Sequence, residues 1–276
     1  MAQRILTLSG YLFRRLLFSL TGVTYTVLAL AFWRIFFDPG QSTPDGDYYI
    51  LVIGLFGMGA AFLITISVAA RAHHASNYPL IARLPSRVEH LTAVLLTSLS
   101  FSLLLQIVVA LLATINGPSL SLGRLLEIPP LWFSADLLAV ALALHASDLV
   151  TMGWSRVYVY GILAIFLFGQ QLDSSAIGWI SERMLGIGSW FFRQGWAAAG
   201  NLASSTSHWL NGSGSELVGQ LFGVVFWPFD AISAAVIAGS FRPSQALAPA
   251  LLVLYATLLF VLAAELFASK DLHLVE

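Results

Sequence analysis

Long stretches without a single charge dominate what this chain can fold into. Leu16 to Trp33 is uncharged between Arg15 and Arg34, Tyr48 to Ala70 between Asp47 and Arg71, and His90 to Gly123 between Glu89 and Arg124. Pro243 to Ala264 is a further run, closed by Glu265, Lys270 and Asp271. Roughly 20 apolar residues make a helix that crosses a bilayer core, and a charge at its centre costs about 2.5–3.5 kcal/mol on insertion scales. Two more runs are less clean: Leu131 to Val150 holds Asp136, His145 and Asp148, and Val157 to Leu172 is short. The expectation is an all-α integral membrane protein, a single transmembrane domain over 1–276 with six helices near 16–33, 48–70, 91–115, 131–150, 157–172 and 244–266. Continuous runs, not ten-residue alternations, argue against barrel strands.

Composition agrees. The chain is 58% apolar and 10% charged, against about 45–50% and 25% in soluble domains. That excludes an ordinary cytosolic enzyme, a nucleic-acid binder and a disordered chain. A net charge of −1 leaves no polybasic field, and the absence of cysteine excludes disulfides, thiolate metal sites and thiol nucleophiles. The first residues lack a signal-peptide cleavage pattern, so the first helix is expected to stay as an anchor.

Short loops set orientation. Arg4, Arg14, Arg15, Arg71, Arg83, Arg87, Arg156 and Lys270 fall on one side of the six-span layout, with only Arg34 and Arg124 on the other, beside Asp38, Asp45, Asp47 and Glu127. By the positive-inside rule both termini are expected in the cytoplasm, with the protein in the plasma membrane. The segment 173–242 would then lie outside. Ile177, Ile180, Met184, Ile187 and Phe191 line one face of a helix there, and Trp179, Trp190, Trp196 and Trp209 are aromatic anchors. This is the pattern of a helix lying in the interface. Asn201 to Ser215 reads as a loop. Leu217 to Gly239 is apolar but interrupted by Pro228 and Asp230, which predicts two half-helices forming a re-entrant hairpin.

Catalytic chemistry is hard to find. Gly212-Ser-Gly-Ser is followed by Glu216, so no phosphate-binding loop exists, and there is no His-Glu-x-x-His. Gly54, Gly57 and Gly59 lie inside a membrane helix, where small residues let a neighbour approach. His145 and Asp148, three apart, are expected on one face of the fourth span, as a hydrogen-bonded pair or as a metal, haem or pigment site. Asp136, read as about one and a half turns in from the outer side, is a candidate for lining a translocation path, as is Asp230. His73 and His74 read as a solvated turn.

The loop between the second and third spans carries Asn77-Tyr-Pro-Leu-Ile-Ala-Arg-Leu-Pro-Ser-Arg-Val-Glu-His-Leu91. Tyr78 to Leu84 can form a short helix that Pro85 ends. Ser86 is then expected to cap the next helix, with Glu89 closing a capping box. Here the chain resembles the six-span permease subunits of type-2 ABC exporters, whose short coupling helix after the second span ends in a Leu-Pro-like turn. Leu80-Ile-Ala-Arg-Leu-Pro85-Ser-Arg87 is similar to that element, Trp227-Pro-Phe-Asp-Ala-Ile-Ser233 to the family's Pro-Phe segment, and Glu265-Leu-Phe-Ala-Ser-Lys-Asp-Leu272 to its closing signature. Two departures are that Arg71-Ala-His-His-Ala-Ser-Asn77 replaces the usual acidic run and Thr92-Ala93 stands where Gly-Lys is common.

The resemblance implies a non-enzymatic half of an ATP-driven exporter. Its partners would be an ATP-binding subunit carrying the ATP and magnesium, and a second permease copy or paralogue. Tyr78, Leu80, Arg83, Pro85 and Arg87 would form the docking element. The rival expectation is a non-transporting scaffold of a pigment or redox complex, with His145 as ligand.

Overall fold

The computed structural model describes residues 1–38, 40, 45–72, 84–115, 117–150, 161, 174–238 and 242–269. Among them are nine long helices and no strand. They are α1 (Ala2–Leu17), α2 (Leu20–Phe36), α3 (Gly46–Ala72), α4 (Arg87–Ala113), α5 (Leu122–Ala146), α6 (Ser174–Arg193), α7 (Ala197–Asn211), α8 (Ser213–Ile237) and α9 (Ala248–Ser269). Four of them, α3, α4, α5 and α9, are long and apolar enough to cross a membrane; a fifth span results if the bent pair α1–α2 counts as one. These are helices of a multi-pass membrane protein. The expected fifth span at 157–172 lies outside the described residues.

The chain divides into two units, Met1–Val159 with Pro228–Glu276, and Tyr160–Trp227. In the first, α3 packs against α4 and α5, α9 against α5, and α1 against α4.

The first expected span is a bent pair. α1 is amphipathic, with Gln3, Thr7 and Arg14 on one face and Leu8, Leu12 and Leu16 on the other, and it meets α2 at 69°. Ser19 makes the corner. Its hydroxyl donates to Leu16 O at 2.7 Å and accepts from Gly22 N at 3.2 Å, so one helix ends and the next is capped on the same side chain. Arg71, at the far end of α3, donates to that hydroxyl at 3.0 Å and to Thr21 Oγ1, fixing the bend from outside.

The fourth span starts nine residues earlier than expected. Ser121 caps α5 by accepting from Arg124 N at 3.3 Å, and the helix runs on through Pro129 and Pro130. Charges and prolines that suggest a loop are accommodated because Arg124 has partners on every side. Its guanidinium donates to Glu127 Oε2 at 2.9 Å, to Asp47 Oδ1 of α3 at 3.1 Å, and to the carbonyls of Ala235 and Val236 at 3.4 and 3.1 Å. The last two lie in the final turn of α8, where orphan carbonyls and the helix dipole both favour a cation.

Two expectations fail in the region 173–242. Pro228 lies inside α8 with helical backbone on both sides, so the half-helices are not seen. A proline removes its own N–H bond to the carbonyl four residues back, and the rest of the ladder holds across it. The presumed loop at 201–215 is mostly α7. Its hydroxyls bond back along the helix, Ser204 to Gly200 O at 2.8 Å and Thr206 to Leu202 O at 2.8 Å, so Ser and Thr do not break it. Within the second unit α6 and α7 form a hairpin, clasped where the Ser181 and Ser207 hydroxyls meet at 2.6 Å and stacked where Phe191 faces Trp196.

Arg124 is 9% exposed while its two carboxylate partners are about a third exposed. Replacing it with Met should therefore cost about 2 kcal/mol, below the roughly 3–5 of a fully buried pair. Arg124→Lys should recover only part, because an ammonium cannot span the same acceptors. Denaturation of the detergent-solubilised protein reads both.

Candidate functional site

The polar interior of the first unit lies where α3, α4 and α5 meet. Gly54 and Gly57 leave bare backbone on α3. Into that space α5 sends Trp132, whose indole N–H donates to Ile50 O at 3.1 Å, and α4 sends Gln106, whose amide donates to Ile53 O at 3.2 Å. A Cβ at Gly57 would lie 2.1 Å from Gln106 Nε2 and 2.8 Å from Asp136 Oδ1; at Gly54 it would lie 3.2 Å from Trp132 Nε1. The expected close approach is present at these two glycines, while Gly59 faces open space. Tyr49 OH adds a bond from α3 to Ala110 O at 2.9 Å.

Asp136 stands one turn beyond Trp132 on α5. It is wholly buried, and neither carboxyl oxygen has a hydrogen-bond partner among the described residues. Because α5 begins at Leu122, Asp136 lies near the helix midpoint and not close to one end, which corrects the shallow placement expected from the sequence. An ionisable group at membrane depth marks a functional site by default. Asp230, the other candidate for a path, is exposed on α8, so the structure does not show the two on a common surface.

The other polar cluster was not anticipated. Glu89 and His90, at the start of α4, are both buried; Arg4 of α1 comes within 3.5 Å of Glu89 Oε1. Glu89 Oε2 and both His90 ring nitrogens lack partners among the described residues. Ser86 does cap α4, accepting from Val88 N at 3.3 Å. Glu89 does not close the capping box, because its carboxylate faces Arg4 instead. One turn or two further along α4, Thr97 and Ser9 of α1 meet hydroxyl to hydroxyl at 3.3 Å. The spacing of Glu89 and Thr97 against an amphipathic α1 was the available signal.

Of the expected docking residues, Tyr78, Leu80 and Arg83 lie outside the described residues. Pro85 is exposed just before the Ser86 cap, and Arg87 is the first residue of α4. His145 and Asp148 do not share a helix face: α5 ends at Ala146, and Asp148 is exposed beyond it. His145 Nε2 is 2.8 Å from Leu259 O, and since a carbonyl only accepts, that nitrogen carries the proton and ties α5 to α9. No cluster of three or more metal-ligating side chains occurs among the described residues.

Gly57→Ala should force Gln106 off Ile53 O and destabilise the protein by about 1–3 kcal/mol. Gln106→Ala in the same chain should remove most of that penalty, and a double-mutant cycle of thermal stability measures the coupling. Neither a protein-family model, nor a curated protein, nor a solved structure matches this chain.

Proposed function

We propose that this chain is the permease subunit of an ATP-driven type-2 ABC exporter, half of a translocation path, docked on a separate ATP-binding subunit and paired with a second permease. In this reading it has six spans in the plasma membrane, with both termini cytoplasmic. The amphipathic helix α6 lies in the outer interface, its exposed Trp190 at headgroup depth.

The observation that carries the reading is the connector between α3 and α4. Two helices of 27 residues each, packed on one another, are joined at the end that carries Arg71 and Arg87. The join finishes in an exposed Pro85 and a capping Ser86, so a force applied there acts on the end of α3 and the start of α4. The chain has no phosphate-binding loop of its own, which is consistent with ATP being held on another subunit. Rigid-body motion of that subunit would pass through 78–85 into α3 and α4, and from them to the helix that carries Asp136. Substrate chemistry is then met by Asp136, the one buried carboxyl at the centre of α5.

The test is a triple alanine variant at Tyr78, Arg83 and Arg87, since aromatic and arginine anchors concentrate interface energy. Loss of a true anchor should cost at least about 2 kcal/mol, roughly thirtyfold in affinity for the ATP-binding subunit. Co-purification and substrate-stimulated ATP hydrolysis should both fall while membrane insertion is kept. Asp136→Asn should do the converse, retaining the partner and lowering transport at least about tenfold, or 1.4 kcal/mol of barrier. A partner ATPase that binds and couples normally to the triple variant would overturn the assignment.

A further inference from the structure

A groove of about 590 Å³ runs between α5 and α9, within the roughly 300–1,000 Å³ of small-molecule sites. Its walls are Leu126, Pro130 and Phe133 from α5, with Pro249, Ala250 and Val253 from α9. It is polar at one end only. Glu127 of α5 and Arg242, just ahead of α9, line that end, while Phe133 and Val253 lie deeper along their helices.

The two charges do not neutralise each other. Glu127 gives Oε2 to Arg124, and its remaining oxygen makes no described bond. The exposed Arg242 has no carboxylate within ion-pair distance among the described residues; only its backbone is engaged, its N–H donating to Gln245 Oε1 at 3.0 Å. Pro130 adds a third feature. Having no N–H, it leaves the carbonyl of Leu126 without the usual helix donor, so a hydrogen-bond acceptor stands beside Glu127.

We propose that this groove binds one phospholipid with a zwitterionic, primary-amine headgroup, of the phosphatidylethanolamine type. Arg242 takes the phosphate, as guanidinium groups do through paired N–H donors. The ammonium donates to the free oxygen of Glu127 and to Leu126 O. One acyl chain follows Phe133 and Val253 toward the bilayer interior. A choline headgroup offers no N–H to either acceptor, and a glycerol headgroup offers no cation to Glu127, so the site discriminates by headgroup. This rests on the groove alone and stands or falls independently of the transport reading.

The test uses the full chain, delipidated in detergent and examined by native mass spectrometry. Phosphatidylethanolamine, phosphatidylcholine and phosphatidylglycerol with identical acyl chains are supplied at equal concentration. The expected result is at least about tenfold higher occupancy by phosphatidylethanolamine, since 1.4 kcal/mol corresponds to a factor of ten. Glu127→Gln, which removes the acceptor charge for the ammonium, should reduce it to the level of phosphatidylcholine, and Arg242→Ala should lower occupancy by all three lipids, since each carries the phosphate. Ala250→Trp, which fills the apolar part of the groove, should abolish the preference without lowering the thermal transition. Equal binding of the three lipids, a preference for phosphatidylglycerol, or a phosphatidylethanolamine preference that survives Glu127→Gln or Ala250→Trp would each overturn the proposal.

Discussion

Two side-chain donors on bare backbone organise the interior: Trp132 and Gln106, each giving an N–H to a carbonyl of α3 where Gly54 and Gly57 leave room. In a bilayer, lipid tails are as apolar as leucine, so burying Leu against Leu gives little reason for helices to associate. Close backbone packing and interhelical hydrogen bonds take over that role, the latter worth about 0.6 kcal/mol each on average. Such bonds are weak in sum but strict in register. A shift of α3 by one residue would place a Cβ-bearing side chain against both the indole and the amide. The α3–α4 and α3–α5 contacts are thereby fixed relative to each other, and the buried Asp136 is held at the place where the three helices meet.

The ends of the bundle obey different physics. There, arginines reach water or paired carboxylates and act as clamps across elements. Arg124 joins the start of α3, the start of α5 and the last turn of α8, and Arg71 holds the corner between α1 and α2. Both lie at the end of an apolar helix, where a long side chain can keep its stem in hydrocarbon and its head in a polar layer. Interior register and end geometry are thus set by separate groups of residues, neutral ones at depth and ionic ones at the rim.

Four of the expected spans, those matched by α3, α4, α5 and α9, were legible because their signal is a property of one helix at a time: an uncharged run is visible without knowing its neighbour. The boundaries were misread where a neighbour changes the meaning of a residue. Arg124 and Glu127 looked like a loop because Asp47 and the α8 carbonyls, which make Arg124 acceptable at a helix start, are remote in sequence. That one misreading moved Asp136 from mid-helix to near an end. Ser204 to Ser207 looked like a loop because composition cannot tell that their hydroxyls bond back along a helix or across to Ser181. Glu89 satisfied the capping-box spacing, yet Arg4, more than eighty residues away in sequence, draws its carboxylate elsewhere. Gly54 and Gly57 were readable as a place of close approach, whereas the side chains that fill it were not.

Under the proposed transport reading, the same division of labour bears on how motion would travel through the first unit. The Gln106–Ile53 bond and the Tyr49–Ala110 bond tie α3 to α4 at two levels, so the pair moves as a unit when its connected end is displaced. α5 is tied to α3 through Trp132 on one side and to α9 through His145 on the other. Asp136 lies between those two ties and has none of its own among the described residues. In that reading, a displacement of α3 and α4 against α9 would concentrate its relative motion around a buried carboxyl that no hydrogen bond among the described residues restrains. Restraining Asp136 with a partner would be the simplest way to stabilise the bundle, because a buried polar group without one is costly. Under the transport reading proposed above, a position left unrestrained among the described residues is the feature expected of a group that meets something passing through, and not of one that holds helices together.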